Sequence, residues 1–405
     1  MVDQNMAVTT DKTTRIWRGV AQSGVRVANE RAIMTLIGLN PGSSNADLAR
    51  LSGLGPQTTS RIVADLETRN MIRRGGVLRG RRGQPATPLY LNMQSAYAIG
   101  VEIGWRRYEI MLTDMSGETI GRVCKDYAWP DATTIFAEIA AEVQQLKHSL
   151  TPEQQQRLVG LGIACPSSME LNLHHLDAPL EQRELWQDLD IGSRLEHDTG
   201  LATQWWNDGS AACWGEYLSQ PTPRPRNMAY FQIGTYVGAG IVVNRELWEG
   251  PGMDTANLGA LMVTDRSGKP TYVYEVASIL ALETRLKAAG LPVPAGNPVS
   301  WDWAQIEPVA SEWIAASAFV LAQAVVTTRA MVEVDLVVID GALPREVLDR
   351  LFAQVEMAMD SLPPSSLAWP KLAKGRLGIA AGSNGASYRV LFTRFFSRAW
   401  DLFVT

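Results

Sequence analysis

Apolar residues recur at helical spacing in three short segments between residues 30 and 70. Turn-forming residues at 40–42 end the first segment, Asn45 is placed to cap the second, and Pro56 occupies the first position of the third. Together these signals predict a compact three-helix unit. Its expected core positions are Ile33, Leu36, Ile37, Leu48, Leu51, Ile62, Val63 and Leu66.

The third segment has the features of the recognition helix of a helix-turn-helix. Its outward N-terminal face would enter the major groove of DNA, where Gln pairs with adenine, Arg with guanine, and Thr with a phosphate or a thymine methyl group. An Arg- and Gly-rich run at 73–83 predicts a two-stranded wing, although such a run is also typical of an exposed hairpin. Its position directly after three helices favours DNA contact. The predicted DNA-binding residues are Gln57, Thr58, Thr59 and Arg61 on the helix and Arg79, Arg81 and Arg82 at the wing tip.

From Tyr97 onward the pattern changes to alternating strands and helices. The first half has predicted strands at 97–104, 107–114, 122–127 and 158–164, and a predicted helix at 132–148. A similar second half has strands at 229–234, 238–244 and 334–340, and helices near 274–289 and 307–332. The repeat predicts an α/β body built of two similar halves.

The distribution of charge follows the same division. Residues 1–95 contain 13 Lys and Arg against 6 Asp and Glu, a net charge of +7, which leaves −12 for the rest of a chain whose total is −5. The basic end is therefore the expected nucleic-acid-binding part. Three cysteines without a CxxC pair favour neither a disulfide framework nor a thiolate metal site. The sequence has no uninterrupted run of about 18 apolar residues, so the chain is expected to be soluble and cytoplasmic.

Six motifs along the chain occur in a characteristic order. They are a GRxGxP-like wing at 80–85, a glycine turn at 100–104, NDGSAACWGE at 207–216, GTYVGAGI at 234–241, NLGALM at 257–262 and a glycine turn at 382–386. In this order they resemble the ROK family of repressors, open reading frames and kinases, and its repressor branch in particular, over residues 30–396. The resemblance implies a winged helix-turn-helix followed by a two-lobed α/β body of the actin-like ATPase and sugar-kinase type. The chain would then comprise an N-terminal extension (1–29), a DNA-binding domain (30–95) and an effector and oligomerisation domain (96–405).

Both phosphate loops depart from the pattern of the family's kinases. The first, Asp-x-Gly-Gly-Thr in those kinases, has Glu102, Gly104 and Trp105 here, and the tryptophan would fill space that a phosphate requires. The second, usually Gly-Thr-Gly, has Tyr236 as its third residue, and a tight turn is the simpler interpretation of this hairpin. No ATP or other cofactor is therefore expected.

The resemblance also implies a sugar site. Asn207 and Asp208 match the family's Asn-Asp pair, which binds sugar hydroxyls and in the kinases supplies the general base. The same pair would also cap the helix that follows it. Asn257 replaces a sugar-binding Glu of the family, and Glu275 stands at a second one, with an ordinary helix-start acid as the alternative. These four residues are the predicted ligand-binding set.

The zinc ligands of the family are missing from this sequence. Ala260 replaces the His ligand, and residues 265–275 contain none of the three cysteines, so no metal is expected. The sequence thus predicts a regulator without enzymatic activity, most simply a repressor of carbohydrate genes. It would bind double-stranded operator DNA as a homodimer or homotetramer and respond to a sugar-like effector. The alternatives are an ATP-dependent sugar kinase with an added DNA-binding domain and a constitutive DNA-binding protein with a ligand-blind body.

Overall fold

A computed structural model of the chain describes residues 22–76, 87–167, 169–250, 256–363 and 366–397. The N-terminal part, called the reader from here on, has three helices and a two-stranded antiparallel sheet. The three-helix prediction is confirmed, and all eight expected core positions are buried or half-buried. The elements of the reader are α1 (Gln22–Leu39), α2 (Asn45–Ser52), α3 (Pro56–Thr68), β1 (Ile72–Arg74) and β2 (Leu89–Leu91).

Local sequence sets the ends of these helices. The Ser44 Oγ accepts a hydrogen bond from the Asp47 N–H at 3.2 Å, and the Asp47 carboxylate accepts one from the Ser44 N–H at 3.1 Å. The cap of α2 is therefore Ser44 rather than the expected Asn45, which lies one position inside the helix. Pro56 starts α3 as predicted, whereas α1 begins at Gln22 rather than near residue 30.

The body has two lobes, each built on a five-stranded sheet. In the first lobe the strand order is β5-β4-β3-β6-β7, with β3 antiparallel to β4 and parallel to β6. The elements of this lobe are β3 (Tyr97–Ile103), β4 (Arg107–Asp114), β5 (Thr119–Asp126), α4 (Ile135–His148), α5 (Pro152–Gln155), β6 (Leu158–Cys165), α6 (Met169–Asn172), α7 (Leu180–Gln187), α8 (Ile191–Thr199) and β7 (Thr203–Asn207).

The second lobe repeats this arrangement. Its strand order is β10-β9-β8-β13-β14, again with an antiparallel hairpin beside a parallel pair, and a separate hairpin joins β11 to β12. The predicted two-lobed α/β body is confirmed. The remaining elements are α9 (Asp208–Ser219), β8 (Met228–Ile233), β9 (Val237–Val243), β10 (Glu246–Leu247), β11 (Met262–Thr264), β12 (Pro270–Tyr272), α10 (Val273–Ala277), α11 (Ile279–Ala288), α12 (Val309–Val332), β13 (Leu336–Gly341), α13 (Arg345–Asp360), β14 (Lys371–Lys374) and α14 (Ala381–Phe395).

Helix α12 has the length and the apolar composition of a membrane-spanning helix. Most of its apolar window is buried, because the helix packs among α10, α11 and α13 in the core of the second lobe. Burial within a folded lobe accounts for its apolar composition.

Helices α9 and α14 join the two lobes. α9 packs on β8 and β9 of the second lobe, α14 packs on β3 and β6 of the first, and the two helices pack against each other. Their backbones touch, since a Cβ atom at Gly385 of α14 would lie 1.7 Å from the carbonyl oxygen of Ala211 in α9. The backbone of α14 approaches β3 in the same way, since a Cβ atom at Gly100 of β3 would lie 1.9 Å from the carbonyl oxygen of Ser383. Only glycine permits this approach.

The reader docks on the C-terminal end of α14. Apolar side chains of both parts form one continuous core, which contains Leu36 and Leu91 of the reader and Val390 of α14. Directly after α14, the Ser397 N–H donates a hydrogen bond to the Thr35 hydroxyl of α1 at 2.9 Å. One helix therefore contacts the first lobe, the second lobe through α9, and the reader.

Replacing Gly385 by alanine tests the contact between α9 and α14. Because the added methyl group would overlap the backbone of Ala211, Gly385→Ala should lower the free energy of unfolding by about 3 kcal/mol or more in urea denaturation. Gly192→Ala, within α8, is the matched control, since the atom nearest to its methyl group would be Asp190 Oδ1 at 3.4 Å. The control should change the free energy by less than about 1 kcal/mol. Equal stability of the two variants would contradict the close packing.

Candidate functional site

The N-terminal half of α3 presents the candidate DNA-reading surface. Gln57 and Arg61 are exposed and Thr58 is half-buried, in the positions that the sequence predicts. Ser60 is exposed beside Arg61 and was not among the predicted residues. The sequence does indicate the exposure of Ser60, because this residue lies between the apolar positions of an amphipathic helix. A hydroxyl at this position adds a donor and an acceptor to the surface.

Thr59 does not belong to this surface, which corrects the sequence-based assignment. Its side chain is fully buried, and its hydroxyl donates a hydrogen bond to the Gly55 carbonyl oxygen at 3.3 Å. The physical reason is helical spacing, because position 59 shares a face with Ile62 three residues later, and that face packs into the core of the reader.

Other arginines of the reader have structural contacts instead. Arg69, at the end of α3, forms ion pairs with Glu30 at 2.8 Å and Asp65 at 3.1 Å. Arg26 also pairs with Glu30, at 3.0 Å. This network connects α1 to the C-terminal end of α3, away from the face that carries Arg61.

The predicted wing-tip residues Arg79, Arg81 and Arg82 lie outside the described residues, so their DNA contact stays a prediction. The base of the wing is described: β1 and β2 pair in antiparallel register directly after α3. In this base the Arg73 guanidinium lies 5.0 Å from the centre of the Tyr90 ring.

A cleft of about 950 Å³ lies between the two lobes. The ends of β3, β6 and β7 open into it from the first lobe, and the turn between β8 and β9 opens into it from the second. Concave sites of this kind are where small ligands bind. Of the predicted ligand-binding residues, Asn207, Asp208 and Asn257 line the cleft, whereas Glu275 does not.

Asn207 and Asp208 lie where β7 ends and α9 begins. Asn207 caps α9, since its Oδ1 accepts from the Ser210 N–H at 3.3 Å, and its Nδ2 donates to the Ser167 hydroxyl at 3.0 Å. Asp208 accepts from the Gly209 N–H at 2.8 Å, and burial raises the pKa of Asp208 to about 6. The two residues therefore line the cleft at the start of α9, and their hydrogen bonds to the first turn of that helix fix the direction of both side chains.

Aromatic side chains fill the position of the two phosphate loops. Trp105 follows β3, Tyr236 lies in the turn between β8 and β9, and their ring centres are 4.8 Å apart at an interplanar angle of 60°. Beside them, Arg106 of the first lobe donates to the buried carboxylate of Glu283 in the second lobe at 2.9 Å. These two contacts link the lobes across the cleft.

A second carboxyl group, that of Glu102, faces the cleft from β3. Burial, reinforced by the neighbouring carboxylate of Glu109, raises the pKa of Glu102 to about 8. Glu109 is fully buried, and Arg107, Arg122 and the Ser383 hydroxyl contact its carboxylate. In the sequence, Glu102 stands out only as a departure from the phosphate-loop pattern of the kinases, because its burial is a property of the packed fold.

Asn257 and Glu275, the other two predicted ligand-binding residues, lie in different parts of the second lobe. Asn257 lies on the cleft wall, whereas Glu275 is exposed at the start of α10. The Glu275 carboxylate accepts from the Thr271 hydroxyl at 2.8 Å and the Tyr272 N–H at 3.3 Å. The structure therefore places Glu275 outside the cleft, as a helix-start acid that closes the first turn, and the residue before it, Tyr274, lines the cleft instead.

The segment at the family's zinc position does not fit a zinc ion. Ala260 offers no ligand, and the β11–β12 hairpin is held by hydrogen bonds, with the Asp265 carboxylate accepting from the Ser267 N–H at 2.8 Å and the Lys269 N–H at 2.9 Å. Gln323 of α12 ties the hairpin to the second lobe through the backbone of Thr264. No cluster of three or more His, Cys, Asp or Glu side chains in the described part of the chain is arranged to hold a metal ion.

Comparison with known proteins identifies both parts of the chain. The ROK family model matches residues 98–391, and a winged helix-turn-helix DNA-binding model matches residues 28–73. The xylose repressor of Bacillus spizizenii is 24% identical over 277 residues, which is 66% of this chain and 71% of that protein. The DNA-binding transcriptional repressor Mlc of Escherichia coli is 23% identical over 294 residues, 69% of this chain and 70% of Mlc.

A crystal structure of a ROK family transcriptional regulator, described as a homolog of Escherichia coli Mlc, has the same fold. It covers 92% of this chain and 98% of its own, with a TM-score of 0.70 and 21% sequence identity. The region matched by the ROK model runs from β3 to α14 and includes every residue that lines the cleft. This chain therefore belongs to the ROK family and carries a winged helix-turn-helix domain ahead of its ROK body.

Proposed function

We propose that this protein is a DNA-binding transcriptional repressor of carbohydrate genes whose kinase-like body binds a sugar or sugar derivative without phosphorylating it. One observation carries the proposal. A winged helix-turn-helix is joined to a cleft that retains the Asn207 and Asp208 pair, while Trp105 and Tyr236 occupy the place of its phosphate loops. The similarity to two named repressors supports a regulator over an enzyme.

The reader is the part that binds double-stranded operator DNA in this proposal. Gln57, Thr58, Ser60 and Arg61 would contact base edges and phosphates in the major groove. We assign residues 30–95 to DNA binding and residues 96–405 to effector binding and oligomerisation. A homodimer or homotetramer in the cytoplasm would place paired readers on the two halves of an operator.

The cleft is the sensor. Asn207 and Asp208 offer a carboxamide beside a carboxyl group, which together donate to and accept from the hydroxyl groups of a sugar, and Asn257 adds a further polar contact. A ligand that touches both lobes favours the closed arrangement and shifts the population toward it. Since α14 packs on the first lobe, on α9 and on the reader, a change in the angle between the lobes would alter the position of the reader.

A sugar kinase is the second candidate, and the carboxyl group of Asp208 is the observation that favours it. Its pKa of about 6 is suitable for a general base that activates a sugar hydroxyl. Incubation of the protein with ATP, Mg²⁺ and d-glucose, d-xylose or N-acetyl-d-mannosamine distinguishes the two functions. A repressor gives no sugar phosphate, whereas turnover that disappears in Asp208→Asn would establish the kinase.

The first prediction from this proposal concerns Arg61. Arg61→Ala should weaken binding to the specific operator by about 1 to 3 kcal/mol and relax the preference at one base position, because an arginine in the major groove reads guanine. Fluorescence anisotropy with the operator and with scrambled DNA measures both effects. Arg183→Ala, which removes the same charge from the exposed surface of α7, is the control and should bind like the wild type. Equal loss on both DNAs would make Arg61 a phosphate contact.

The second prediction concerns the sensor. Asp208→Ala should abolish the change in operator affinity that a sugar causes, and it should retain sugar-free operator binding, because Asp208 lies in the cleft and not in the reader. Glu275→Ala, outside the cleft, should keep the full response. Operator titrations with and without each sugar provide the measurement. A full response in Asp208→Ala would limit the residue to its capping role.

A further inference from the structure

Glu102 is the cleft carboxyl group that neither the phosphate-loop pattern nor the Asn-Asp pair explains. Glu102 belongs to the lining of the cleft, and its Oε2 is buried without a hydrogen-bond partner among the described residues. An unpaired buried polar atom is costly, and native proteins retain one mainly where a ligand or another group completes it. The geometry therefore marks Glu102 as a contact point for a ligand in the cleft.

The carboxyl group of Glu102 also touches α14. It lies so close to the first turn of that helix that a Cβ atom at Gly382 would be 2.6 Å from Oε2. The N-terminal end of a helix favours an acidic group at this position. Glu102 thus stands between the cleft on one side and the helix that contacts the reader on the other.

The charges around Glu102 indicate the chemistry of its partner. Arg106 and Arg107 are the two cationic side chains among the described residues that line the cleft. Arg106 faces Glu283 at 2.9 Å, and Arg107 faces Glu109 at 3.0 Å, so each guanidinium group already has a carboxylate. Arg106 Nε and Arg107 Nη2 are also without a hydrogen-bond partner, but in the described lining carboxyl groups outnumber guanidinium groups by four to two, the four being those of Glu102, Asp126, Asp208 and Glu283. Such a lining disfavours a phosphate dianion and favours neutral or cationic donors.

We infer that Glu102 is a further effector-binding residue, and that its Oε2 accepts a hydrogen bond from a hydroxyl or amino group of a sugar that carries no phosphate. This inference rests on the proposed sensor role of the cleft and adds to it both a residue and a ligand class. The effector bound here would complete the unpaired oxygen and, through the same carboxyl group, contact the first turn of α14.

Binding of four sugars to the full-length protein tests the inference. The probes are d-xylose, d-glucose, d-glucosamine and glucose 6-phosphate, each titrated calorimetrically against wild type, Glu102→Ala and Glu170→Ala. At least one unphosphorylated sugar should bind the wild type, and glucose 6-phosphate should bind more weakly than glucose. Glu102→Ala should raise the Kd about tenfold, the loss expected when a buried polar group of the sugar is left without its hydrogen-bond partner. Glu170→Ala, a matched change on α6 outside the cleft lining, should stay within twofold.

Each outcome has a definite consequence. A Kd within twofold of wild type for Glu102→Ala, or tighter binding of the phosphorylated sugar, overturns the inference and leaves the sensor function intact. A wild type that binds none of the four sugars removes the sensor function together with the inference. If Glu102→Ala fails to fold, Glu102→Asp replaces it. The aspartate keeps a carboxyl group near α14, but its side chain is shorter by one methylene group, so the carboxyl group is drawn back from the cleft. Wild-type affinity in that variant also overturns the inference.

Discussion

The contact between α9 and α14 is the constraint on which the rest of the structure depends. Glycine and other small residues let the two helix backbones touch, and the same glycine-based approach sets α14 on β3. Because packed backbones cannot deform continuously, the lobes move relative to each other only if this contact shifts as a unit. The reader is docked on the far end of α14, so the position of this one helix relates the state of the cleft to the position of α3.

In the proposed function, a fold shared with sugar kinases serves as a binding module. The contact of Trp105 with Tyr236 and the ion pair of Arg106 with Glu283 occupy the region where a kinase would hold nucleotide phosphates. An aromatic pair of this kind contributes about 0.5 to 1.5 kcal/mol beyond its buried area. Both contacts join the first lobe to the second. They are modest enough in energy for a ligand with differential affinity to shift the equilibrium between arrangements of the lobes.

The family motifs were needed to predict the two lobes, whereas hydrophobic periodicity was sufficient to predict the three helices of the reader and the alternation of strands and helices in the body. It failed for Thr59, since a threonine at a helical core position differs from an exposed one only in what packs against it. Glu275 matched a family motif, yet it closes a helix turn outside the cleft. The importance of Glu102 depends on burial between β3 and α14, two segments far apart in the sequence, and no local pattern records such a contact.

Hydrogen–deuterium exchange of the full-length protein, with and without a saturating sugar that lowers operator affinity, tests most directly whether α14 transmits cleft occupancy to the reader. If it does, the sugar changes amide exchange in α14 and in α1, where Thr35 contacts the segment after α14, as well as in the loops that carry Trp105 and Tyr236. A change confined to the cleft loops, with exchange in α14 and α1 unaltered while operator affinity falls, would contradict transmission through this helix.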